Sequence, residues 1–337
     1  MAANRSTGMK SEFHLIEAFA RRIRSGAVRT SGVVVGVGDD AAVIRPNARE
    51  DLVVTTDSLV EGVHFERRWF TGRELGWRLA AVNLSDIAAM GAHPRYGLIS
   101  FVIPPGVGSS YVEAIERGVV DHLARYDAVV VGGNVASTSG PLTLELTLIG
   151  ACARGRAWRR RAKAGDAIVV AGVLGAAAAG VGLLRGRKAR GPLVRAYKQP
   201  TPRLDVARAL SRSRSVRGAI DVSDGFSSDV IHVCEASRVG CDVDEATFPI
   251  PPPVRAFCRE RGLDPVRWAL HAGEDYALIL SVPPQRAAEV CRRIRRAGCP
   301  AVVVGRFTAR RGAYRLFDAS GEARPFKAGG WDHLKGK

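Results

Sequence analysis

The segment Thr55–Met90 reads TTDSLVEGVHFERRWFTGRELGWRLAAVNLSDIAAM, and the rest of the chain is best understood from it. An apolar run, Leu52–Val54, leads into it. We therefore expect a strand whose last residues, Thr55-Thr56-Asp57, present two hydroxyls and a carboxylate at a sheet edge. An apolar spacing from Leu75 to Val82 then predicts a helix that runs into Asp86. Acidic groups on both elements suit a metal ion or a phosphate.

Acidic groups stand beside glycine or hydroxyl residues at five places in the chain. These places are Gly38-Asp39-Asp40, Thr55-Thr56-Asp57, Ser85-Asp86, Asp221-Val222-Ser223-Asp224-Gly225 and Gly273-Glu274-Asp275. Any single one is explained by a turn or a helix cap. Their recurrence at predicted strand ends indicates a Mg2+ site instead. Mg2+ binds hard oxygen ligands and usually completes its octahedron with phosphate oxygens.

Length and composition bound the class of protein. With 337 residues the chain is long enough for two domains, and 46% hydrophobic and 25% charged residues are ordinary values for a soluble protein. No apolar run is long enough to span a membrane, and the N-terminus lacks the apolar core of a signal peptide, so we expect a cytoplasmic protein. The six cysteines form no C-x-x-C pair, which favours reduced, buried thiols.

The net charge of +17 leaves two interpretations open. A basic protein can bind nucleic acid. However, the chain has no zinc-finger spacing and no RNA-binding aromatic motif, and its arginines are spread along the sequence. An arginine-rich surface that concentrates anionic substrates is therefore the favoured interpretation.

Strands and helices are mixed without a clean βαβ repeat, so we expect an α/β or α+β fold. The first element is an amphipathic helix at 11–25. The basic loop Arg154–Gly165 predicts a domain boundary, which divides the chain into residues 11–153 and 154–337. The run 128–131 is expected to end in a turn at Gly132-Gly133-Asn134. The glycines of 172–180 either cradle a phosphate at a helix start or allow close packing.

Several motifs together resemble thiamine-monophosphate kinases, which belong to the superfamily of aminoimidazole-ribonucleotide synthetase-type ATP-binding proteins. They are GVGDDAAV, TTDSLVEGVHF, NLSDIAAMGA, GGN-x5-GPLTL, AIDVSDGFSSD, HAGEDYAL and GGWDHL, in family order from about residue 11 to 334. The resemblance implies a two-domain fold, with an N-terminal mixed sheet or half-barrel that binds ATP and Mg2+ and a C-terminal α/β domain. It also implies transfer of the γ-phosphoryl group of ATP to thiamine monophosphate, several Mg2+ ions, and a homodimer.

The resemblance carries over to individual positions. The Mg2+ ligands it implies are Asp40, Thr55, Thr56, Asp57, Asp86, Asn134, Asp221 and Asp224. The ATP contacts it implies are Gly133, Asn134, Ser223 and an arginine, either Arg159 or Arg160, with Arg160 chosen here. The substrate contacts it implies are His64, Glu274 and Trp331. From its position alone, His64 is either a phosphate contact or a structural residue.

One position departs from the family pattern. The family has Gly-Gly-Asp where this chain has Gly132-Gly133-Asn134, so one Mg2+ ligand brings an amide oxygen without a negative charge. Other enzymes of the superfamily are the nearest rivals. However, the first cysteine is Cys152 and the chain ends in Lys337, whereas one rival has an N-terminal reactive cysteine and another ends in a cysteine. A basic nucleic-acid-binding protein is the alternative from a different class.

Overall fold

The computed structural model describes residues 33–35, 39–187, 190–211 and 213–330. The predicted helix at 11–25 and the substrate contact assigned to Trp331 lie outside these ranges. Within them, two β-sheets with helices packed on them form the α/β organisation expected from the sequence.

The first sheet has the strand order β1-β2-β3-β6-β4-β5. Its strands are β1 (Val33–Val35), β2 (Ala42–Ile44), β3 (Glu50–Val60), β4 (His93–Ile103), β5 (Val129–Ser137) and β6 (Thr143–Ala153). All neighbouring pairs are antiparallel except β4 and β5. Leucines alternate along β6 with half-exposed residues, so one face of the sheet is buried.

Two helices, α1 (Gly72–Ala89) and α2 (Ser109–Ala124), cover that buried face. Helix α1 begins at a reciprocal cap, in which Thr71 Oγ1 accepts from the backbone of Glu74 and the Glu74 carboxylate accepts from the backbone of Thr71. The two helices touch so closely that a Cβ at Gly76 would lie 1.9 Å from the carbonyl oxygen of Ile115. Only glycine fits there. The contact holds α1 in place for the acidic residues near its C-terminal end.

The second sheet has the strand order β13-β12-β9-β11-β7-β10-β8. Its strands are β7 (Ala167–Ala171), β8 (Gly218–Asp221), β9 (Gly240–Asp244), β10 (Leu278–Val282), β11 (Ala301–Thr308), β12 (Tyr314–Phe317) and β13 (Ala323–Pro325). Its helices are α3 (Ala176–Arg185), α4 (Pro192–Lys198), α5 (Leu204–Leu210), α6 (Phe226–Ser237), α7 (Pro252–Glu260), α8 (Pro265–His271) and α9 (Pro284–Arg296). The central strands β7 and β10 are buried along their whole length, in keeping with their almost entirely apolar sequences.

Three local expectations were wrong. Strand β3 does not end at Asp57, because β6 pairs with it from Glu50 to Val60. The Ser85-Asp86 pair lies inside α1 and not at the end of a strand. Residues 132–134 are not a turn either, since they lie within β5. There Gly133 lets β4 approach so closely that a Cβ would lie 2.0 Å from the carbonyl oxygen of Ile99.

All six cysteines are free and buried, as predicted. No helix in the described part of the chain has the length and apolar character that would let it cross a membrane.

His122 of α2 is fully buried, and its burial makes the stability of the protein depend on pH. Its ring stacks on Trp77 of α1 with centroids 3.7 Å apart, and Nδ1 lies 2.9 Å from the Trp77 carbonyl oxygen. Burial, together with the nearby Arg125 guanidinium, lowers the pKa of His122 from 6.5 to about 4. The folded protein therefore keeps this ring neutral at a pH where the unfolded chain protonates it.

Stability should accordingly fall as the pH drops from about 6.5 towards 4, because only the unfolded state takes up the proton. We expect the free energy of unfolding of the wild type to lose about 2 kcal/mol from this group between pH 7.5 and 5. Denaturant titrations of His122→Phe should show a shallower pH dependence, whatever its stability at pH 7.5. In the control His93→Phe, at an exposed position where burial lowers the pKa less than at His122, the slope should stay closer to that of the wild type. Equal slopes for the wild type and His122→Phe would contradict the assignment.

Candidate active site

Acidic side chains from β3, α1 and β8 meet where the first domain packs on the edge of the second sheet. Ser85 Oγ donates to Asp221 Oδ2 at 2.5 Å, and Thr55 Oγ1 donates to Asp86 Oδ2 at 2.6 Å. Because side chains alternate along a strand, Asp57 lies on the same face of β3 as Thr55. The structure thus brings together carboxylates that are up to 164 positions apart in the chain, between Asp57 and Asp221.

Two arginines of the linker close one side of this cleft. Arg160 pairs with Asp40 at 2.7 Å, and Arg159 pairs with Asp39 at 2.8 Å. The backbone N–H of Arg160 also donates to Asp39. Of these two arginines, Arg160 is the one whose partner, Asp40, belongs to the predicted ligand set.

The carboxylates of the cleft repel one another. Burial raises the pKa of Asp57 and that of Asp221, and neighbouring carboxylates bring both to about 6. Burial and the charges of Asp221 and Asp39 raise the pKa of Asp40 to about 7, against the opposing effect of Arg160. Asp86 is affected most, since burial and the charges of Asp57 and Asp221 raise its pKa well above the usual range. Such a cluster is expected at a functional site and favours a bound cation.

Asp229 belongs to the same cluster and was missed in the sequence. It lies in the first turn of α6, is buried, and accepts a hydrogen bond from the backbone of Gly225. Burial and the charges of Asp224 and Asp221 raise its pKa well above the usual range. The available signal was the motif SDGFSSD, whose second carboxylate follows the first by five residues.

The donor set fits Mg2+ that is shared with a phosphate. Its members are hard oxygens, and Asp40 Oδ2 is buried without a hydrogen-bond partner. Among the residues that the structure describes, no three His, Cys, Asp or Glu side chains converge on one ion position. The carboxylates therefore line a cleft and do not form a closed cage. Mg2+ typically takes one or two protein carboxylates and completes its shell with water and substrate phosphate.

The other predicted Mg2+ and ATP contacts lie in three places. Ser223 and Asp224 follow β8 directly, next to Asp221. Thr56 faces away from the cleft, where its hydroxyl lies 3.0 Å from that of Thr147. Asn134 lies beside Gly133 on the exposed strand β5, which β6 and β4 separate from β3. That separation is about 14 Å.

The predicted substrate contacts His64 and Glu274 come from opposite halves of the chain. His64 lies in the turn after β3, and its Nδ1 accepts from the backbone N–H of Val60 at 3.0 Å, so it has a structural role at least. Glu274 is partly exposed and donates its backbone N–H to the carbonyl oxygen of Ser223 at 2.7 Å. The predicted substrate contact Glu274 therefore lies next to the predicted ATP contact Ser223.

The glycine-rich segment before α3 is not free to cradle a phosphate. The Asp275 carboxylate accepts from the backbone N–H groups of Gly175, Ala176 and Ala177 at 2.5, 2.9 and 3.0 Å. Those groups are the ones a phosphate would use. Close packing is the alternative that holds, since a Cβ at Gly180 would lie 2.2 Å from the Leu193 carbonyl oxygen.

Comparisons with known domains define the class. Residues 38–152 match the N-terminal domain of AIR synthase related proteins, and residues 163–316 match their C-terminal domain. Together with the two sheets and the acidic cleft, these matches confirm the predicted two-domain fold.

Individual relatives narrow the class to one family. Thiamine-monophosphate kinase from Rhodopirellula baltica is 32% identical over 93% of this chain and 96% of its own length. The enzyme of the same name from Escherichia coli K12 is 34% identical over 88% of this chain and 90% of its length. The structure of AaThiL complexed with AMPPCP and TMP has a TM-score of 0.82 at 29% identity and covers 97% of this chain and 100% of that chain. The chain belongs to the thiamine-monophosphate kinase family.

Asp221→Asn should stabilise the metal-free protein, because its carboxylate is ionised at pH 8 against an unfavourable environment. The raised folded-state pKa means that the charge opposes folding at any pH above about 6. We expect a gain of about 1–3 kcal/mol in the free energy of unfolding, measured by denaturant titration with chelator present. Adding Mg2+ should raise the melting temperature of the wild type more than that of the variant.

Asp166→Asn is the matched control. Asp166 is also buried, but Arg217 and Ser281 donate to it at 2.7 and 2.8 Å, so the same substitution should destabilise the protein there. If both variants lost stability, the inference that the buried carboxylates of the cleft destabilise the metal-free protein would be wrong.

Proposed function

We propose that this protein transfers the γ-phosphoryl group of ATP to thiamine monophosphate, giving thiamine diphosphate and ADP. The observation that carries the proposal is the cleft of mutually repelling carboxylates at the junction of β3, α1 and β8. The family supports it, and so does the similarity to AaThiL bound to AMPPCP, an ATP analogue, and TMP. ATP is thus a co-substrate and Mg2+ the proposed cofactor.

The proposed Mg2+ ligands are Asp40, Thr55, Thr56, Asp57, Asp86, Asn134, Asp221 and Asp224, and Asp229 is added from the structure. Gly133, Asn134, Ser223 and Arg160 are proposed for ATP, and His64, Glu274 and Trp331 for thiamine monophosphate. The position of Thr56 limits it to a contribution from its backbone unless its side chain turns. Its hydroxyl faces the other side of the sheet.

Mg2+ bound in the cleft would neutralise the phosphate charges of both substrates. The attacking group is a phosphate oxygen of thiamine monophosphate. It is already ionised near neutral pH, so the protein needs no strong general base. The residues of the cleft have to hold two polyanions in line. We propose direct in-line attack without a phosphoenzyme.

Arg160 supplies the positive charge at one end of the cleft. It is already paired with Asp40, so it can exchange that carboxylate for a phosphate without leaving its position. The overall charge of +17 favours the approach of anionic substrates. The proposal includes a domain boundary between residues 153 and 154 and a cytoplasmic location.

A homodimer formed through the first sheet is the proposed assembly. Within the described residues β5 is an edge strand, and it is exposed along almost its whole length. Val129, Val131 and Val135 are 54, 57 and 69% exposed, which is unusual for an apolar edge that remains unpaired. A second copy of the chain would cover these valines.

Two alternatives remain distinguishable by experiment. Another ATP-dependent enzyme of the same superfamily would use a different phosphate acceptor. A basic nucleic-acid-binding protein would show steeply salt-dependent binding to DNA without ATP turnover. The acidic cleft favours the kinase, since it repels a nucleic acid that arrives without cations.

ADP release measured with ATP, Mg2+ and thiamine monophosphate tests the proposal. We expect release to depend on all three components. Asp86→Asn should lower kcat by about 100-fold or more, because it removes a charge that faces both phosphate chains. The variant should melt no lower than the wild type, because it removes the charge of the most strongly affected carboxylate of the cleft, and this separates a chemical role from a folding defect. ADP release that is independent of thiamine monophosphate would overturn the assignment of substrate.

Val131→Asp tests the assembly. A buried carboxylate without a partner is strongly unfavourable at an apolar interface, so the variant should sediment as a monomer when the wild type sediments as a dimer. Val120→Asp is the control, since Val120 is an exposed valine on the outer side of α2. A Val131→Asp protein that remains dimeric would exclude this strand from the interface.

A further inference from the structure

Arg78 of α1 is a fully buried cation that links the two halves of the chain. Its side chain has 0% exposure, and its Nη2 pairs with the carboxylate of Glu274. Its Nη1 donates to the backbone carbonyl of Tyr197 in α4, and its guanidinium carbon lies 4.3 Å from the centre of the Tyr197 ring. Arg78 therefore contacts one proposed substrate residue directly.

Tyr197 extends the link to the other proposed substrate residue. Its hydroxyl donates to the backbone carbonyl of His64 at 2.8 Å. Its ring is buried in an aromatic cluster, with Phe70 5.6 Å and Trp69 6.4 Å away between centroids. A continuous series of polar contacts thus runs from Glu274 through Arg78 and Tyr197 to the turn that carries His64.

The backbone of Glu274 needs such support. Its φ is +65°, and that of Tyr276 is +50°, a left-handed conformation that residues other than glycine adopt rarely. Glu274 is held by its N–H bond to Ser223 and by Arg78, and Tyr276 by its N–H bond to Val222 at 2.9 Å. Strained residues of this kind persist where the surroundings fix them, and they cluster at functional sites.

Stability alone does not explain an arginine at position 78. A buried ion pair costs desolvation that its attraction only partly offsets, and an apolar side chain of similar volume is often as stable. Arg78 Nε is moreover buried without a hydrogen-bond partner. Elsewhere on this helix apolar side chains fill buried positions, namely those of Leu75, Leu79 and Val82.

We propose that Arg78 and Tyr197 are positioning residues for the thiamine monophosphate subsite. They hold Glu274 and the His64 turn at a fixed separation, although these come from different domains. This inference rests on the proposed function. ATP, whose proposed contacts lie at Ser223, in the linker and on β5, should be affected less.

Steady-state kinetics of Tyr197→Phe provide the test. The substitution removes only the hydroxyl that donates to His64 and keeps both the ring and the carbonyl that accepts from Arg78. We expect the KM for thiamine monophosphate to rise about 3–10-fold, the range for one lost hydrogen bond, and the KM for ATP to change less than about twofold. Tyr111→Phe is the control, since its hydroxyl also donates to a backbone carbonyl, that of Phe70 at 3.2 Å, but lies outside the series. Its kinetics should equal those of the wild type.

Arg78→Lys tests the other member. Lysine keeps the charge but lacks the planar fork that reaches both acceptors, so the KM for thiamine monophosphate should rise more than that for ATP, and the melting temperature should fall because one buried acceptor is left without a partner. The double variant Arg78→Lys/Tyr197→Phe should show less than the product of the two single effects, because the two residues act in one series.

The outcomes separate the two proposals. A wild type without ADP release that depends on thiamine monophosphate defeats both the function and this inference. An active wild type whose Tyr197→Phe variant keeps its KM for thiamine monophosphate defeats only the inference. Equal rises in both KM values, or a large fall in melting temperature with unchanged KM, would show that Tyr197 serves packing alone.

Discussion

The repulsion among buried carboxylates at the junction of the two sheets is the constraint on which the rest of the structure depends. Asp57, Asp86 and Asp221 come from three elements and are held within range of one another by two short hydroxyl–carboxylate hydrogen bonds. Their pKa values are raised first by burial and then by the neighbouring carboxylates, and both effects cost the metal-free protein stability. A fold retains such an arrangement when a ligand, here the proposed Mg2+ with its phosphates, compensates for it.

The surrounding structure holds these carboxylates together against their repulsion. Helix α1 packs against α2 through Gly76, and it contacts the second domain through Ser85 on β8 and through Arg78 on Glu274 and α4, so it is held against the repulsion of the charges at its end. The arginines of the linker counter part of the negative charge, with Arg160 directly on Asp40. The same helix therefore serves both the acidic cleft and the proposed substrate subsite. Because one helix supports both sites, their relative positions are fixed.

Much of the candidate site was predictable because its residues lie in short sequence motifs. Asp40, Asp57, Asp86 and Asp221 were identified from acidic residues beside glycine or hydroxyl groups, and the family resemblance assigned them to one site. Asp229 was missed because its position on the first turn of a helix is also what a simple cap would require. The phosphate-cradle alternative for 172–180 failed for a related reason. The sequence does not show that Asp275, 100 residues away from Gly175, already occupies those amides.

The sequence by itself determined the class of fold, the alternating burial of β6, the buried cysteines and the family, since each follows from local pattern or extended motif. Only the tertiary structure decided where β3 ends, because its length is set by pairing with β6 and not by its own residues. Tertiary structure alone also joined Arg78 to Glu274 and Tyr197 to His64. Those contacts span 196 and 133 positions, and no local pattern encodes which distant group will pair with a buried cation or accept a hydrogen bond from a buried hydroxyl.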